Sequence, residues 1–317
     1  MHIFSVFNKF SDIFFIKAPF LFPLVYLYVL FNFPSHEYML ALITLLLLGE
    51  PHFGATWTIF FDKKIREYAY VNKITFIYGS IVLLIFSTLL FITSKNIFYL
   101  LFFGFNAYHV TRQSIGICSL FTTSAAEKNF QKKIIYLFNI TIVFLSICYL
   151  MLDLIDSISA MKIGYLYLFI SGIVIVFQYV KFNSWENTLT TLTGLTIFAP
   201  ALFVEKPIHA IVAGVTMHYS QYLCLTFKIY LSKKDKDALN IELFTITKYL
   251  GNYFLIVVVY GIAATAITFW LPIKESLYGA LLIIPILGQI LHFYIDGLTW
   301  RFSKADLREL VLNHLIR

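Results

Sequence analysis

The sequence predicts an all-α protein, a polytopic membrane helix bundle of about ten transmembrane helices with both termini in the cytoplasm. Three observations predict it. Hydrophobic residues make up 60% of the 317 and charged residues only 13%, against roughly 25% charged in an ordinary soluble domain. Mean hydropathy is +0.80. Apolar stretches of about 20 residues, long enough to cross a bilayer, recur along the chain. Residues 1–300 therefore read as one transmembrane bundle, and 301–317 as a short amphipathic cytoplasmic tail on the membrane surface. The first twelve residues lack a small-residue cleavage site and read as retained.

The spans follow in order. The first covers 14–33, with Lys17, Pro19 and Pro23 in its opening turns, and the second covers 38–61, interrupted by Glu50-Pro51-His52. After the basic loop 62–67 comes 74–93, which carries no charge, then 97–121 with His109 and Arg112. A second basic loop, 127–133, leads to 134–152 and the acidic turn of Asp153 and Asp156. Spans at 163–180 and 188–204 follow, then the turn Glu205-Lys206-Pro207 and a span at 208–231 that contains His218. A lysine-rich loop, 233–248, precedes the last two spans, 249–271 and 277–300.

With ten spans, Lys63, Lys64, Arg66, Lys128, Lys132, Lys133, the 233–248 loop, Arg301, Lys304 and Arg308 share one side. The other side holds Glu37, Asp153, Asp156, Glu205 and Glu275, with Lys95, Lys206 and Lys274 among its few positive charges. Cytoplasmic loops collect Lys and Arg, so the termini are assigned to the cytoplasm of a bacterial inner membrane. The formal net charge of +7 has the same origin, and no nucleic-acid partner is expected. Cys118, Cys148 and Cys224 fall inside apolar spans and read as buried free thiols.

Four spans of the same direction each carry a histidine in a polar cluster. They are Glu50-Pro51-His52, His109 to Gln113, His218 to Tyr222, and Gln289 to Asp296 with His292. Each histidine lies roughly 9 to 12 residues before the cytoplasmic end, about 13–18 Å deep at about 1.5 Å per residue. Polar side chains in hydrocarbon are costly and usually functional. Four imidazoles at one depth point to a metal: iron, copper and zinc all favour this ligand, and four neutral ligands around Fe(II) leave positions for dioxygen and a substrate. Gln289, His292 and Asp296 share one helix face, as do Asn106, His109 and Gln113. Asp296 and Glu50 are the carboxylates expected to accept a ligand's second N–H. Arg112 is expected to neutralise one of them or to meet a polar end of the substrate. The competing readings are a structural ion-pair network of Glu50, Arg112 and Asp296, and a proton relay in an ion- or proton-coupled transporter. His2, His36, His209 and His314 read as interfacial, and Pro51 kinks its helix in either case.

At these residues the chain resembles the Brp/Blh family of membrane β-carotene dioxygenases. The early Gly-x-Pro-His motif is matched by Gly49-Glu50-Pro51-His52, the next histidine by His109, the third motif by His218, and the late His-Asp-basic motif by His292, Asp296 and Arg301. The resemblance implies an Fe(II)-dependent dioxygenase that cleaves a bilayer-dissolved carotenoid, such as β-carotene, to retinal. It implies His52, His109, His218 and His292 as metal ligands, with Asp296 beside them; Glu50, Arg112 and Tyr222 are placed near the reaction by their own positions in the histidine-bearing spans. Two departures stand out. Tyr222 occupies the place of a second histidine in the third motif, and the early motif continues differently, as Phe53-Gly54-Ala55-Thr56-Trp57. Tyr222 is read as bordering the cavity rather than binding the metal. A hydroxylase or desaturase acting on another lipid is the nearest alternative, although the paired histidine boxes of fatty-acid desaturases are absent.

Overall fold

The computed structural model describes residues 9–234, 243–269 and 283–316. Residues 1–8 and 317, residues 235–242 of the lysine-rich loop, and residues 270–282 with Lys274 and Glu275 lie outside the described residues. Every regular element described is helical, and no strand occurs among them. The chain falls into two compact units: residues 1–45 with 110–222, and residues 46–109 with 223–317.

Among the described residues, four helices are long and apolar enough to cross a membrane: Pro34–Ile59, Ile74–Thr93, Ala125–Leu150 and Ser157–Phe182. The bent pair Phe10–Lys17 and Leu21–Asn32 makes a fifth if it counts as one span. This is fewer than the ten expected, of which 249–271 and 277–300 lie partly outside the described residues. Length and polarity explain the difference in the others. The stretch expected to span at 188–204 is the 12-residue helix Trp185–Thr196 followed by the tight turn Ala199–Leu202. The helices that carry His109 and His218, Lys95–Phe121 and Pro207–Lys234, are long but interrupt their apolar run with polar side chains.

The first unit is built around that short helix. Trp185–Thr196 packs against Ala125–Leu150, Ser157–Phe182 and the widened turn Ile13–Lys17. Its buried threonines cost little, because Thr188, Thr190, Thr191 and Thr196 each donate to the carbonyl four residues back. The predicted 14–33 span is broken at Lys17 by a 60° bend. Pro19 has no N–H for the carbonyl of Phe15, and the Ser220 hydroxyl donates to that oxygen instead, at 3.2 Å. Gln221 Nε2 donates to Ile16 O at 2.7 Å and Thr193 Oγ1 to Lys17 O at 2.9 Å, so the exposed carbonyls are satisfied one after another. The buried Lys17 pairs with Glu186 and lies over the Phe121 ring. At the far end of the unit, Lys206 pairs with Glu37, and Tyr26 hydrogen-bonds His209 Nδ1 at 2.7 Å.

The second unit centres on the helix Glu50–Ile59. A widened turn, Leu45–Gly49, leads into it, where Pro51 cannot donate to Leu47 O. The helix packs chiefly against Leu243–Phe269 and also against Ile283–Thr299. Glycines set the first of these contacts: a Cβ on Gly261 would stand 2.9 Å from Glu50 Cβ, and one on Gly54 would stand 3.0 Å from Tyr260 Cδ1. Small residues of this kind let membrane helices approach closely. Ile283–Thr299 also packs on Gly79–Thr93, and the C-terminal segment buries Leu307, Val311 and Leu315, spaced four apart.

Candidate metal centre

Three imidazoles and a carboxylate of the second unit come together. His52 stands on Glu50–Ile59, His109 on Lys95–Phe121, and His292 and Asp296 one turn apart on Ile283–Thr299. The His292 ring is the hub. Its centroid lies 4.6 Å from that of His52 and 5.0 Å from that of His109. One nitrogen of His109, one of His292 and one carboxylate oxygen of Asp296 lie within 4.8 Å of one another. Ligands at about 2.1 Å from a common ion stand roughly 3–4 Å apart, so this grouping is somewhat wider than the surroundings of a bound ion. His52 and His292 are fully buried, and Asp296 and His109 nearly so.

A residue that the sequence reading left unassigned ties the cluster together. Thr56 lies one turn after His52 on the same helix face. Its hydroxyl donates to Asp296 Oδ1 at 2.9 Å and lies 2.6 Å from His292 Nδ1. His292 Nδ1 and Asp296 Oδ1 are themselves 3.9 Å apart, too far for a hydrogen bond. The only sequence signal for Thr56 is its four-residue spacing from His52.

Aromatic rings wall the site. Phe53 lies 5.3 Å from His52 and 5.1 Å from His292, and Phe293 lies 4.8 Å from His109, centroid to centroid. From Phe293 the wall continues into a cluster of Phe91, Phe98, Phe102 and Ile290. The surroundings are apolar and fix the dielectric in which any bound ion would act.

Glu50, Arg112, His218 and Tyr222 are each described within their own helix. Glu50 is buried, but its Cβ faces Gly261 on Leu243–Phe269, two residues and a half-turn away from the face that carries His52. Arg112 is exposed on its helix. His218 and Tyr222 belong to the first unit, both buried on Pro207–Lys234, with ring centroids 6.2 Å apart. Searches of family models, of curated proteins and of solved structures find no match to this chain.

Proposed function

We propose that the protein is a membrane-embedded, Fe(II)-dependent oxygenase acting on an apolar, bilayer-dissolved substrate, with oxidative cleavage of a carotenoid as the leading case. The observation that carries this reading is the buried cluster of His52, His109, His292 and Asp296 beside an aromatic wall. Ionisable groups are costly to gather at such a place, and a shared cation offsets that cost. Imidazole nitrogens are a donor set suited to non-haem iron, and a carboxylate beside them serves to orient a ligand histidine. His218 is added as a further ligand on sequence grounds, by its depth in a span of the same direction.

Iron would supply the activation of dioxygen. The chain's own residues do the rest. Phe53 and Phe293 exclude water and present ring faces to a conjugated or otherwise apolar substrate. Asp296 and Thr56 hold His292 in place. The proposal includes ten spans with both ends in the cytoplasm, so that the substrate enters from the bilayer.

The test has two measurements. Protein purified in mild detergent should hold about one iron per chain by elemental analysis, and His292→Ala should hold little. Expression in a carotene-accumulating bacterium should consume carotene and yield retinal. Stoichiometric metal without carotene loss redirects the proposal to another lipid. Absence of metal from active, monodisperse protein overturns it.

A further inference from the structure

We infer that Thr56 is a positioning residue, a hydroxyl relay that transmits the Asp296 carboxylate to His292 and so fixes which imidazole nitrogen faces a metal. The inference rests on the metal-centre reading above and adds a residue to it. A threonine hydroxyl has one proton. In this structure it goes to Asp296 Oδ1, at 2.9 Å. Only lone pairs remain for His292 Nδ1 at 2.6 Å, so Nδ1 must carry the hydrogen and donate to Thr56 Oγ1. In that tautomer Nε2 of His292 carries the ring's basic lone pair and is the nitrogen able to bind a cation.

Buried threonines and serines in these helices commonly donate to the carbonyl four residues back, as Thr188, Thr190, Thr191, Ser80, Ser114 and Thr299 do. Thr56 donates across to a different helix, onto the one carboxylate of the cluster. The usual arrangement, a ligand histidine donating directly to a carboxylate, is ruled out here by the 3.9 Å separation of His292 Nδ1 and Asp296 Oδ1. The threonine fills the gap. Its Cβ is also anchored on the helix that carries His52, so one side chain sets the relative placement of two imidazoles that stand 4.6 Å apart.

The experiment titrates apo full-length protein in detergent with Co(II), read by ligand-field absorption, for wild type, Thr56→Val, Thr56→Ala and Thr56→Ser. Wild type and Thr56→Ser should bind alike. Thr56→Val and Thr56→Ala should bind about 10–100-fold more weakly, with a shifted spectrum, as for lost outer partners of metal-bound histidines. Asp296→Asn added to Thr56→Ala should weaken binding little further. Two variants guard against misfolding of one. If Val and Ala both bind as wild type does, if Ser fails as they do, or if Asp296→Asn adds its full loss on top, the relay is wrong while the metal centre stands. If the wild type binds no Co(II), both readings fall together.

Discussion

Tyr222 is the side chain at which the chain departs from the histidine pattern it resembles, and it is buried beside His218 on Pro207–Lys234. A phenol keeps its proton near neutral pH and is a poor ligand in that form. Tyr222→Phe keeps the ring and removes only the hydroxyl, so metal content should stay at the wild-type level while turnover or product distribution changes. Loss of metal in that variant, read by elemental analysis, would make the tyrosine a ligand. The residue scale also shows what a sequence can reveal about a site. His52, His109, His292 and Asp296 were legible because ionisable side chains are rare in apolar spans, so each one draws attention. Thr56 was not, since a threonine in such a span usually satisfies itself on its own helix. Glu50 misled for the opposite reason: its charge is conspicuous, but two residues along a helix turn it to another face.

Among the elements, Glu50–Ile59 and Leu243–Phe269 show how packing positions chemistry. Gly261 faces the Cβ of Glu50 and Cδ of Pro51, and a new Cβ there would meet them at 2.9 and 3.4 Å. Neither neighbour is the loose end of a long side chain, so the helices must separate. Gly261→Ala should destabilise by about 1–3 kcal/mol, the range for overpacking a tight contact, and should lower metal occupancy as the helix carrying His52 and Thr56 moves. Gly251 on the same helix has open space around its Cβ position. Gly251→Ala should therefore be neutral or stabilising by up to about 1 kcal/mol, the ordinary helix propensity gain. Thermal unfolding of the pair in one detergent checks both, and equal melting temperatures would show that the close approach does not matter. Single elements differed in legibility by composition. The uncharged 74–93 stretch matches the Ile74–Thr93 helix end to end, because nothing in it competes with a span. The bend within 14–33 is not legible in that stretch alone, since it depends on Ser220, Gln221 and Thr193 meeting the freed carbonyls from remote parts of the sequence.

At the scale of the whole molecule, both units turn apolar side chains outward and polar ones inward. Phe144 and Phe169 in the first unit and Val82 and Ile92 in the second are more than half exposed, whereas Gln178, Asn139, Thr56 and His292 are sealed. A water-soluble protein of this composition would do the reverse, and the pattern suits hydrocarbon as solvent. Orientation then follows from charge. Ala125–Leu150 is 26 residues long, about 39 Å at about 1.5 Å per residue, enough to cross a hydrocarbon core of about 30 Å. Lys128, Lys132 and Lys133 lie at one end, and Asp153 and Asp156 follow the other. The loop before Ala125 should therefore face the cytoplasm and the turn at Asp153 the opposite side. A reporter active only outside the cytoplasm, fused after Asp153, should give strong activity, and the same reporter fused after Thr123 should give almost none. Activity at both points, or at neither, would mean that this helix does not cross, and the ten-span arrangement would fail with it. The reverse pattern would keep the crossing and invert the protein, moving the histidine-bearing spans to the opposite direction while leaving the metal cluster within the second unit unchanged.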